Sequence, residues 1–193
     1  MITMATKKMF DLDVVSVKLN PEFKLMSDRP IETPNDVALA ACRLLKDSDR
    51  EMIAVFNLQA DGRPINCHIA AVGTLDSCIA HPRELLKSTI LANASSVILA
   101  HNHPSNSLEP SSHDIHMTTK LAKLCNLLEI RLLDHVIVGS KDHSYLSMFE
   151  TGILEKRPSG EIDVSDRYIA KVAERSPGHG YHIERRDRSG KVR

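Results

Sequence analysis

The stretch His101–Asp114, HNHPSNSLEPSSHD, sets how the rest of this chain is read. It directly follows Ser95–Ala100, SSVILA, a nearly continuous apolar run of the kind that forms a strand buried on both faces. If that strand carries on through the histidines, His101 and His103 point to the same side and can face one point, while Asn102 points away. Pro104 stops the strand and turns the chain into the loop SNSLEP. A helix then starts at Ser111 or Ser112, which puts Asp114 one turn in, on the face of Ser111.

Two neutral imidazoles and one carboxylate suit Zn²⁺ and leave a fourth position for water, as catalytic rather than structural sites do. Water activated in this way needs a base, and Glu51, at the start of the apolar run MIAVFNL, can supply one from a neighbouring strand. Ser111 would point its hydroxyl at the place where charge develops on an attacked carbonyl. Each residue also has a plainer reading. A histidine pair can be a turn feature, Asp114 a first-turn acid favoured by the helix dipole, Ser111 a simple cap, and Glu51 a surface acid. The site is favoured because H-x-H, the proline, Ser111 and Asp114 each meet a separate geometric need. His113 and His116 flank Asp114 and are read as solvated; His68, His143, His179 and His182 have no partner that the sequence can name.

Working outward, ETPNDVALAACRLLKD opens with Thr33 as N-cap, Pro34 at the first helical position and Asp36 three residues past the cap. Its apolar positions Val37, Ala40, Ala41, Leu44 and Leu45 share one face. Two apolar runs around ADGR signal a hairpin. HPRELLKSTILAN reads as a helix, IRLLDHVIVG as a strand, and HSYLSMFETGIL as a strand running into a short helix. Residues 12–25 alternate well enough for a strand or arm. Helices alternating with strands argue for an α/β layered sandwich. The expected organisation is an N-terminal arm at 1–30, a domain at 31–154, and a charged C-terminal extension at 155–193 with one short helix in DVSDRYIAKVAERS and a mobile tail.

Composition narrows the classes. The 193 residues carry 25 Lys and Arg against 25 Asp and Glu, so no whole-molecule field draws the chain to nucleic acid or membrane. No apolar run approaches the ~20 residues of a membrane span, and the start lacks a signal-peptide core. Cys42, Cys67, Cys78 and Cys125 form no C-x-x-C pair and read as reduced thiols of a cytoplasmic protein. The contiguous letters H-N-H are no sign of the nuclease class of that name, whose residues are scattered over a ββα unit. Zinc deaminases need H-x-E followed by P-C-x-x-C, which this sequence does not have.

Glu51 with H-x-H-P-x(6)-S-x-x-D over 101–114 resembles the JAMM signature of JAB/MPN metalloproteases. The pieces VGTLDSCIAHPREL, ASSVILAHNHPS, LLDHVIVG and SYLSMFETGIL resemble the C-terminal domain of the RadC family more closely. The resemblance implies a JAB/MPN fold of cytidine-deaminase-like architecture, with a curved mixed β-sheet flanked by helices and one zinc per chain. It implies His101, His103 and Asp114 as ligands, Glu51 as general base with Glu84 as the competitor, and Ser111 as hydrogen-bond donor to the oxyanion. Full-length RadC proteins carry an N-terminal helix-hairpin-helix region; none precedes the domain here, so a short stand-alone form of the kind found on bacterial mobile elements is expected. Asp134 and His135 could orient a ligand imidazole or only satisfy buried backbone, and His81 and Arg83 could touch substrate. The expected function is hydrolysis of a peptide or isopeptide amide in the bacterial cytoplasm. The alternatives are a DNA-associated protein using the same zinc, with Arg185, Arg186, Arg188, Lys191 and Arg193 on phosphates, and a scaffold without catalysis.

Overall fold

The computed structural model describes residues 15–25, 32–73, 80–139, 144–158 and 160–175. The helix expected from the Thr33 cap is α1 (Pro34–Leu45). Thr33 Oγ1 accepts the Asp36 N–H at 3.2 Å and Asp36 Oδ2 accepts the Thr33 N–H at 3.0 Å, which satisfies donors a helix start leaves open. Strand β1 (Met52–Leu58) turns through Gly62, at φ 88°, into β2 (Pro64–Val72), the hairpin expected around ADGR. Then come α2 (Pro82–Leu91), β3 (Ser96–Asn102), α3 (Ser112–Leu127) and β4 (Arg131–Val138). The described chain ends with β5 (Tyr145–Ser147), β6 (Leu154–Lys156), β7 (Ile162–Val164) and α4 (Asp166–Arg175).

Five strands form one mixed sheet in the order β2-β1-β3-β4-β5, with β3 and β4 parallel and the other neighbours antiparallel. This is the α/β fold the sequence predicts. Helix α1 covers one face, packing Val37, Ala41 and Leu45 against Phe56, Ile98 and Val136. Helices α2 and α3 cover the other, with Leu85 and Leu121 against Ile53, Val55 and Leu99. Each such side chain buried contributes roughly 1.5–3 kcal/mol, so a one-residue slip that turned β3 over would be prohibitive. That alternation places the site. His101 shares its phase with Val97 and Leu99 and therefore faces the α3 layer.

Of the strand or arm expected over 12–25, residues 15–25 run as an arm without regular structure, and the flanking 1–14 and 26–31 lie outside the described residues. After β5 the chain makes turns instead of a short helix, because side chains take its backbone donors: Phe149 N–H goes to Asp134 and Glu150 N–H to Ser147. Gly152, at φ 71°, then leads into β6. Past residue 154 the chain stays packed on the sheet and α3. Leu154 and Val164 are buried with Ile115, Ile137 and Met148, and Ile162, Tyr168 and Ile169 pack on them. Charged residues between these positions hide their pattern in the sequence. The helix expected in this region is α4, and the tail beyond Arg175 lies outside the described residues.

Among the described residues, Cys42, Cys67 and Cys125 form no disulfide. Burial pushes the Cys67 and Cys125 thiols up to about 12, which keeps them protonated and unreactive. Cys78 lies outside the described residues. Among the described residues, no helix is long and apolar enough to cross a membrane.

Candidate metal centre

Strand β3 delivers His101 at its end and His103 just beyond it, the first turn of α3 delivers Asp114, and Glu51 sits one residue before β1. One ligand atom from each of these four lies within 4.8 Å of all the others. His101 Nε2 and His103 Nε2 are 2.8 Å apart. Asp114 Oδ1 lies 3.2 Å from His101 Nε2, and Asp114 Oδ2 lies 3.4 Å from His103 Nε2. His101 and Asp114 are buried while His103 and Glu51 are partly exposed, so the cluster opens on their side.

The donor chemistry fits a metal. The His103 Nδ1–H donates to the Ser107 carbonyl at 2.8 Å, an oxygen that can only accept, so neutral His103 carries a bare lone pair at Nε2. That lone pair points into a space shared with a second ring nitrogen and a carboxylate. Such crowding of acceptors calls for a cation, and two imidazoles with one carboxylate match Zn²⁺ with room left for water. Burial alone would raise the pKa of Asp114. With no cation there, protonated His101 and His103 imidazoles and the Ser111 hydroxyl outweigh it and hold the carboxyl well below the usual carboxylate range.

Ser111 is the N-cap of α3 and fixes Asp114 reciprocally. Its N–H and Oγ–H donate to Asp114 Oδ2 at 2.8 and 2.6 Å, and its Oγ accepts the Asp114 N–H at 3.2 Å. Glu51 is raised above its ordinary pKa by burial, against the pull of His101, the direction that suits a base near neutral pH. Its backbone is gripped from both sides. Gly73 N–H donates to the Glu51 carbonyl at 2.7 Å. On the other flank the Asn102 side chain accepts the Met52 N–H and donates to the Arg50 carbonyl, both at 2.9 Å.

The RadC-like JAB domain family matches residues 31–153. This chain belongs to the RadC-like JAB family. It is similar to a UPF0758 protein of Desulfitobacterium hafniense, 40% identical over 124 residues, which are 64% of this chain and 54% of that protein. A UPF0758 protein of Rubrobacter xylanophilus is 41% identical over 141 residues, 72% of this chain and 58% of its own. A third, from Pseudomonas putida, is 38% identical over 125 residues, covering 65% and 54%. The chain thus spans about half the length of these curated relatives.

Within this RadC-like JAB domain the remaining candidates separate. His135 does reach a candidate ligand: its Nε2 lies 2.8 Å from His101 Nδ1. Asp134 does not. A bulge between β3 and β4 skips Leu133 in the pairing, and strand alternation then turns Asp134 away from its neighbour His135. The Asp134 carboxylate accepts from His135 N–H at 2.7 Å, Ser147 Oγ at 2.5 Å and Phe149 N–H at 2.9 Å, and so satisfies buried backbone. His81 is the exposed N-cap of α2, its Nδ1 accepting the Arg83 N–H at 3.2 Å. Arg83 lines an apolar groove with Val17, Leu86 and Leu124, away from the metal cluster. Glu84 pairs with Lys87 at the surface, 2.5 Å away, and it is Glu51 that stands in the cluster with His101, His103 and Asp114. His113 is exposed, as read from sequence, yet its charge is felt at Glu51.

Asn102, Ser107 and Thr118 are the partners that sequence reading missed. The signal for Thr118 is its place four residues after Asp114, on the same helix face. Gly139 also contributes. A Cβ there would stand 2.8 Å from Asn106 Oδ1 and crowd Ser144 Oγ, so a bare glycine lets the loop carrying Ser107 close on β4.

Burial pushes the Asp134 carboxyl up to about 6 against its three hydrogen bonds. The folded chain therefore holds that proton more tightly than the unfolded chain, and this group favours folding as pH falls through 6 and disfavours it above. Asp134→Asn is expected to cost at most about 1 kcal/mol near neutral pH, where it removes a buried charge, and more in acid. Asp134→Ala strands the buried His135 N–H and frees the Phe149 N–H, and is expected to cost about 2–3 kcal/mol. Urea unfolding of both variants at two pH values checks the order, and equal costs would remove Asp134 from this role.

Proposed function

We propose that this chain is a zinc-dependent hydrolase of the JAMM class that cleaves an amide, in a peptide or an isopeptide. The observation that carries this reading is the convergence of Glu51 on the ligand set His101, His103 and Asp114. Those three residues would hold Zn²⁺, which when bound supplies Lewis acidity and a water of lowered pKa. Glu51 takes the proton of the attacking water and returns it to the leaving amine, work that suits a half-buried carboxylate of raised pKa. Ser111 has one hydroxyl proton, now given to Asp114 Oδ2. To serve a developing oxyanion it exchanges that bond for one to the substrate, a swing about its side chain that leaves its backbone cap in place. The choice of an amide follows the JAMM pattern to which these residues conform. Cysteines outside disulfides are in keeping with a reducing bacterial cytoplasm.

The test is elemental analysis of protein purified without a histidine tag, then cleavage of peptide and ε-amino-linked isopeptide libraries read by mass spectrometry. About one zinc per chain is expected, with cleavage lost to a chelator and restored by added zinc. No zinc after reconstitution would end the metalloenzyme reading.

A further inference from the structure

We infer that the Thr118 hydroxyl sets the tautomers of two buried histidines and thereby presents a bare His101 Nε2 to the metal; this rests on the metal-centre reading above. Thr118 Oγ1 lies 2.6 Å from the Asp114 carbonyl and 2.6 Å from His135 Nδ1. A hydroxyl has one proton to give, and a carbonyl oxygen can only accept. The proton therefore goes to the Asp114 carbonyl, the back-bond a helical threonine makes one turn down. The opposite choice would press two acceptors together at 2.6 Å in a fully buried place with no proton between them. The bare nitrogens of His101 and His103, by contrast, meet at the open side of the cluster, where a cation fits.

The rest follows link by link. His135 Nδ1 must donate to Thr118 Oγ1, so neutral His135 is bare at Nε2. His101 Nδ1, 2.8 Å away, must donate into that lone pair, so His101 is bare at Nε2, the atom that faces His103 and Asp114. Met148 Sδ, 3.9 Å from Thr118 Oγ1, is too weak an acceptor to redirect the hydroxyl. His101, His135 and Thr118 are fully buried and Asp114 is 1% exposed, so no bulk water can substitute for a link. The chain of bonds begins at the Asp114 main chain and ends at the bare His101 Nε2, 3.2 Å from the Asp114 carboxylate, so one residue stands at both ends. Thr118 is a positioning residue: it touches neither metal nor substrate.

Thr118→Val keeps the shape and removes the acceptor. His135 then gains nothing by protonation at Nδ1, and the bias that keeps the proton off His101 Nε2 is lost. Zinc affinity, measured against a chromophoric chelator, is expected to fall about 10–100-fold, and Thr118→Ser is expected to restore it. The direct readout is the pair of ring ¹⁵N shifts of His101 and His135 in the metal-free protein at alkaline pH. In the wild type both rings are expected to carry the proton at Nδ1, and in Thr118→Val that preference is expected to disappear. Wild-type zinc affinity in a folded Thr118→Val variant would overturn the inference, as would His135 protonated at Nε2 in the wild type. Should the valine variant not fold, the wild-type shifts judge the inference alone. Should the wild type bind no zinc, the metal-centre reading falls while the shifts still test the tautomer chain.

Discussion

Glu51→Gln is expected to keep its zinc and lose about 10²–10⁴-fold in kcat. Glutamine has the size of glutamate, and the bonds that hold this position come from backbone: Gly73 N–H to the Glu51 carbonyl, and the Asn102 side chain across Arg50 and Met52. None of them senses the carboxylate, so the geometry survives and only the proton acceptor goes. KM should change little, because the loss falls on a group that acts in the transition state. The wild-type rate should also rise with pH, since the base form accumulates as pH passes through a pKa that burial has raised. That limb should vanish in the variant. Metal content by elemental analysis beside steady-state kinetics checks both halves. Wild-type turnover in the glutamine variant would remove Glu51 from the chemistry.

Asp114→Ala should have the opposite signature, with loss of metal and activity at background. It deletes a ligand outright, so the fall in zinc affinity should exceed the about 10–100-fold typical of losing a supporting partner. It also empties the reciprocal cap with Ser111, worth about 1 kcal/mol to the helix. Asp114→Asn separates the two effects, because an amide oxygen can still accept from Ser111 but offers no charge to a cation. Thermal melts of the metal-free proteins should show Asn near wild type and Ala below it, while titration with zinc shows both impaired. Zinc bound at wild-type affinity by both variants would place the metal elsewhere in the chain.

Much of this site is legible locally because its geometry is local. H-x-H in an extended run puts two imidazoles on one side, and a helix capped at Ser111 brings Asp114 round one turn later. Glu51 is less legible, as its only signal is a place before an apolar strand. It joins the cluster because β1 pairs with β3 so that Ile53 lies opposite His101. Asp134 and His135 show the limit most clearly. As neighbours in sequence they invite one shared role, and they have two. Asp134 serves the turn after β5 while His135 serves His101.

The sequence by itself determined the candidate metal donors on β3 and α3 and the order of helices and strands from α1 to β5, since these rest on periodicity and capping within a few residues. Tertiary structure alone decided which strand lies beside which, where the bulge at Leu133 re-phases β4, and hence which ring stands behind His101 and which backbone holds Glu51. The physical reason is that strand register is a property of two segments at once. It is fixed by packing summed over the whole sheet, and no single stretch of sequence carries that sum.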